Sequence, residues 1–163
     1  MLKTTRYSVC CAIGLVSVLT ATSLTAAPLD PALLIGTWQC SFEISSDEQT
    51  LVGTSVDTYF ADGTSRSDSR LSVQLHPLNL DIVYELGVTA TWQLTPPDQL
   101  VETITAVPTF INSNPELEQM INLKAELLNG KSESAQIIEL TQQRAIFRTK
   151  PADDSQHDIR CTR

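Results

Sequence analysis

The sequence predicts a mainly β domain, an antiparallel up-and-down barrel of eight strands, closed or half-open, with one helix between the fifth and sixth strands. Three observations carry this reading. Apolar and polar side chains alternate over several stretches, the period-two mark of half-buried strands. Turn chemistry divides those stretches at Asp62-Gly63, Pro77, Pro96-Pro97 and Pro151. Only the segment from Asn114 to Gly130 spaces its apolar residues for a helix.

The first strand is expected from Gly36, with Trp38, Cys40, Phe42 and Ile44 on one face and Thr37, Gln39, Ser41 and Glu43 on the other. Asp30 and Pro31 can start a helical turn just before it, through Leu34. Val52, Thr54, Val56, Thr58 and Phe60 mark the second strand. Asp62-Gly63 then supports a tight hairpin into a third strand over Ser65 to Leu75. One face of that strand passes from Ser65, Ser67 and Ser69 to Leu71, Val73 and Leu75. Two readings follow: a cavity polar at its mouth and apolar at its floor, or the more ordinary case of a strand end projecting into solvent.

His76 to Asp81 reads as a connection. Ile82, Tyr84 and Leu86 suggest a short strand before Gly87, and Val88, Ala90, Trp92 and Leu94 a further sided stretch. Leu100 to Val107 is β-prone with no evident inward face, because both parities contain polar residues. Pro108 to Asn114 is expected to be a loop. A helix follows, with Asn114 as N-cap, Pro115 at its first position, Glu116 and Glu118 against its dipole, and Gly130 at its end. Leu117, Met120, Ile121, Leu127 and Leu128 share its apolar face. Three more strands are expected over Glu133 to Leu140, Ala145 to Lys150 and Gln156 to Thr162.

Residues 1–27 have the layout of a secretory signal peptide: Lys3 and Arg6, an apolar stretch from Ser8 to Leu19, then small residues to Ala27. The apolar core is short for a membrane span, so no stable anchor is expected after cleavage. Residues 28–163 then form a single domain in a periplasmic or secreted protein. Removing 27 of 163 residues leaves 136, with 9 basic and 19 acidic side chains and a net charge of −10. A chain so acidic is a poor partner for nucleic acid or anionic headgroups. Of four cysteines, Cys10 and Cys11 leave with the signal, and Cys40 and Cys161 remain to form one disulfide.

Catalytic and cofactor signatures are weak. His76 and His157 are the only histidines, and the remaining cysteines are committed to each other, so no metal site and no cofactor are expected. No serine sits in a Gly-x-Ser-x-Gly elbow. Gly130-Lys131-Ser132 echoes a phosphate loop, yet Ala125 stands where the earlier glycine would be. The chain is therefore read as a non-enzyme. Trp38, Phe42 and Trp92 share inward parity with aliphatic neighbours, so they either fill the core or line a ligand pocket together with Val73.

Gly36-Thr37-Trp38, opening the first strand after a helical turn, resembles the Gly-x-Trp signature of the lipocalin and wider calycin barrels. The resemblance implies an interior that holds a small hydrophobic molecule. It also makes Arg160 a candidate for the arginine that packs on that tryptophan, although an inward Cys161 would turn Arg160 outward. Some bacterial protease inhibitors resemble the same layout, which implies the alternative of a protein-interaction module, such as an inhibitor of an exported enzyme, using the segment Pro28 to Leu34 or a loop. The expected partner is thus a small hydrophobic molecule or an exported protein.

Overall fold

The structure, a computed structural model, describes residues 29–116, 123–129, 132–149 and 156–163. The proposed signal segment lies outside the described residues. Eight antiparallel strands close into one barrel in simple sequence order: β1 Gly36–Ser45, β2 Gln49–Tyr59, β3 Thr64–Leu75, β4 Leu80–Thr95, β5 Gln99–Asn112, β6 Ser132–Leu140, β7 Arg144–Thr149 and β8 His157–Thr162. The half-open alternative does not hold, because β8 returns to pair with β1. Such a closed eight-stranded barrel is compatible with a lipocalin-like fold.

Two strands differ from their sequence reading. The stretch Leu80–Thr95 is one strand that continues through Gly87, where an added Cβ would press on Thr109 and Asp68. β5 runs on through Pro108 to Asn112, so the expected loop there is strand. Its ladder with β4 shifts register around Gly87, Thr89 and Ala90, and these irregularities let the strand absorb a residue that cannot donate to the ladder. The face of β2 also differs: Val52, Val56 and Phe60 point out and are exposed, while Gly53 and Tyr59 are buried.

Between β5 and β6 the structure describes a helix, α1, at Leu123–Leu128. Leu127 packs on the apolar cluster of β3 and β4, whereas Leu128 is exposed rather than on the core face. Leu117, Met120, Ile121 and Gly130 lie outside the described residues. Among the described residues no helix is long and apolar enough to cross a membrane.

One end of the barrel is plugged. The 3-10 turn Pro31–Leu33 is capped by Asp30, which accepts from the Ala32 amide, and it drops Leu34 into the base. Leu34 and Trp38 are 0% exposed, and the Trp38 Nε1–H donates to the Leu34 carbonyl at 2.8 Å. This bond satisfies the one polar atom that the buried indole carries. Arg163, not Arg160, covers the tryptophan: its guanidinium lies 3.9 Å from the ring centroid and donates to the carbonyls of Leu33, Leu34 and Ile35. Arg160 is exposed on the outer face, as period-two parity from an inward Cys161 requires.

Cys40 and Cys161 form the expected disulfide, across a β1–β8 seam of only three residue pairs, Gln39 to Ser41 with Thr162 to Arg160. The bond closes a loop of 121 residues. Two predictions follow from this closed end. The double variant Cys40→Ser, Cys161→Ser is expected to lose about 2 to 5 kcal/mol in urea unfolding while keeping its far-UV dichroism. An unchanged midpoint would show that the seam does not depend on the bond. Arg163→Ala is expected to cost about 1 to 3 kcal/mol, from the ring contact and the lost carbonyl partners, with Arg160→Ala within experimental error of the parent. Equal losses in both would contradict the assignment of Arg163.

Candidate functional site

Inward side chains change character along the barrel. Near the plugged end they are Leu34, Trp38, Leu100, Ile137, Ala145 and Phe147, and toward the helix end Leu71, Val73, Ile82, Tyr84, Leu86 and Phe110. Between these two apolar clusters lies a polar layer supplied mainly by β2, β3 and β5. Ser55, Asp57 and Tyr59 come from β2, Ser65 and Ser67 from β3, and Glu102 from β5. The hydroxyl-bearing end of β3 is therefore inside the barrel and not in solvent. Ser65 is 7% exposed. The polar stretch also stands nearer the plug than the expected mouth would.

Each carboxylate is held by two hydroxyls. Ser67 Oγ donates to Asp57 Oδ1 at 2.6 Å and Ser55 Oγ to Oδ2 at 2.9 Å. Ser65 Oγ donates to Glu102 Oε1 at 2.9 Å, and Tyr59 Oη to Oε2 at 3.4 Å. Burial pushes both carboxyls above their ordinary range, against the lowering effect of these hydrogen bonds, and for Glu102 the Asp57 charge adds to the rise. Burial likewise drives the Tyr59 phenol well up, helped by the Glu102 charge, so it stays a neutral donor. Glu133 pairs with Glu102 across β5 and β6, and its charge pushes Glu102 further in the same direction.

Three cavities within the barrel, of about 220, 190 and 100 Å³, all have Glu102 in their walls. Asp57 borders two of them. Their apolar walls include Phe42, Leu71, Val88, Ile104, Leu127 and Ile159. Phe42 takes its place because β1 pairs it with Gly53, over which its ring lies; any Cβ at 53 would overlap that ring. A larger, open depression of about 690 Å³ is lined by the inward-facing Cys40, Ser55 and Leu86 together with Arg70 and Glu85, which pair at 2.7 Å.

Of the four residues proposed to line a pocket, Phe42 borders the cavities and Trp38, Val73 and Trp92 do not. Trp38 belongs to the plug and Val73 to the upper apolar cluster. Trp92 stands edge-on to Tyr59 at 5.9 Å and donates from Nε1 to the carbonyls of Phe60 and Thr64, bracing the β2–β3 hairpin. Asp57 and Glu102 were not legible as site residues. Asp57 sits on the parity opposite to the β-branched residues that mark its strand, and Glu102 sits in a strand with no clean alternation.

The chain matches no protein-family model, and no curated protein aligns with it significantly.

A carboxyl whose folded-state value is raised binds its proton more tightly folded than unfolded. Its stabilising contribution is complete below the unfolded value, about 4.3 for Glu, and is lost as pH rises through the folded value. Glu102→Gln should therefore gain stability relative to the parent as pH rises from about 4, read as the difference in urea midpoints at pH 4 and pH 7.5. Parallel pH profiles for the two proteins would contradict a buried, strained carboxylate.

Proposed function

We propose that this is an exported, non-enzymatic binding protein of the lipocalin-like kind, which holds a small molecule inside its barrel. The observation that carries the reading is the convergence of three internal cavities on Glu102. Their walls combine aliphatic and aromatic surface with hydrogen-bonded carboxylates, so the favoured occupant has an apolar body and a head that donates hydrogen bonds, such as a protonated amine. A fatty acid would bring a third carboxylate beside Asp57 and Glu102, at a cost that burial magnifies. This narrows the expectation of a merely hydrophobic ligand.

The amino-terminal layout and the Cys40–Cys161 disulfide support an oxidising compartment, periplasmic or extracellular, with residues 1–27 removed as a signal peptide. The alternative of an inhibitor inserting its amino-terminal segment gains less support. Leu34 is buried in its own barrel and Pro31–Leu33 is capped against it, so a protein partner would have to use the loops.

Calorimetric titration with n-octylamine and with octanoate tests the proposal. Octylamine is expected to saturate at one per chain and to bind at least about tenfold more weakly to Glu102→Gln, an energy of about 1.4 kcal/mol, while octanoate gives no saturable heat. Binding of neither probe, or of octanoate as well as the amine, would overturn it.

A further inference from the structure

The barrel interior holds a second constellation beside the cavity layer. Asp57 is next in line to the disulfide: β1 pairs Trp38 with Asp57 and Cys40 with Ser55, while β8 sets Cys161 opposite Cys40. A carboxylate oxygen of Asp57 and the two sulfurs of Cys40 and Cys161 all lie within 4.8 Å of one another. Among the described residues this is the one set of three His, Cys, Asp or Glu donors gathered so closely. Ligands of a tetrahedral zinc ion stand about 3.3 to 3.8 Å apart, given metal distances near 2.0 to 2.3 Å, so the two bonded sulfurs must part once the disulfide is broken, while the Asp57 oxygen already lies within 4.8 Å of both.

We propose that, when the disulfide is reduced, Cys40, Cys161 and Asp57 form a site for one thiophilic divalent cation of the zinc class. A dithiol reductant supplies two electrons and two protons. The S–S bond breaks to give two thiols, and the reductant leaves as its own disulfide. The cation then displaces both thiol protons to solvent and bonds two thiolates and one Asp57 oxygen. Two soft sulfurs select zinc, cobalt or cadmium over magnesium or calcium.

The supporting shell is already built. Ser55 and Ser67 each donate to one oxygen of Asp57, which fixes the carboxylate and leaves an acceptor position on each oxygen. Asp57 borders the interior cavities, so the fourth coordination position has open volume on its side. The structural consequence concerns the seam. Only three residue pairs join β1 to β8, and a metal clamp at Cys40 and Cys161 would hold them together when the covalent bond is absent. Disulfide and metal are thus alternative closures of the same barrel. This proposal does not depend on the ligand reading above.

The test uses the full chain, refolded under a phosphine reductant with two free thiols confirmed by titration and the reductant then removed anaerobically. Cobalt(II) is titrated in, and thiolate-to-cobalt charge-transfer absorption is followed with far-UV dichroism. One equivalent of cobalt is expected to saturate the band, the oxidised chain to give none, and Asp57→Asn to bind at least about tenfold more weakly. If the reduced chain does not refold alone, cobalt present during refolding must restore the β spectrum together with the band. No band at one equivalent, or the same affinity in Asp57→Asn, would overturn the site.

Discussion

Closure of the sheet on itself is the constraint from which the rest of this molecule follows. A barrel has no free edge only where its last strand returns to its first, and here that return spans just Gln39 to Ser41. The Cys40–Cys161 bond lies at the centre of this short seam. Directly below it Trp38 and Leu34 fill the base, and Arg163 ties the incoming chain to the end of the sheet through a stack and three carbonyls. Covalent, packing and polar contacts thus meet within a few residues of the point where the ladder is thinnest.

With one end so firmly plugged, the middle of the barrel can carry groups that a filled core would exclude. Burying carboxylates is costly unless their oxygens are partnered. Ser55, Ser65, Ser67 and Tyr59 meet that need for Asp57 and Glu102 without supplying a counter-charge. The layer is satisfied in hydrogen bonds, and among the described residues no cation is paired with either carboxylate. Its carboxyls respond by holding their protons more tightly than exposed ones do. A donor-headed guest would relieve the same imbalance, which links the energetics of the fold to its proposed use.

Much of the architecture was legible because its signals are local. Alternation at Trp38, Cys40 and Phe42 set the first strand, Asp62-Gly63 the β2–β3 turn, and two cysteines the seam. The strand count and their order are those expected. What escaped depends on neighbours that a single strand does not contain. Pro108 sits in a strand because register shifts opposite β4 accommodate it. Asp57 faces inward because Cys40 and Tyr59 fix the parity of β1 and β2, although the apolar residues of β2 point the other way. Arg163 displaced Arg160 for the same reason of parity, and Glu102 became a site residue only when β2, β3 and β6 brought Tyr59, Ser65 and Glu133 around it.

The central claim is a hollow barrel with an acidic middle layer able to receive a cationic head. Carbon-detected NMR titration of the Glu102 side-chain carboxyl, with and without octylamine, tests it most directly. The account predicts a titration above the ordinary glutamate range in the free protein and a clear downward shift once the amine is bound, because a cation favours the ionised form. A Glu102 carboxyl that titrates in the ordinary range and does not respond to the amine would contradict it.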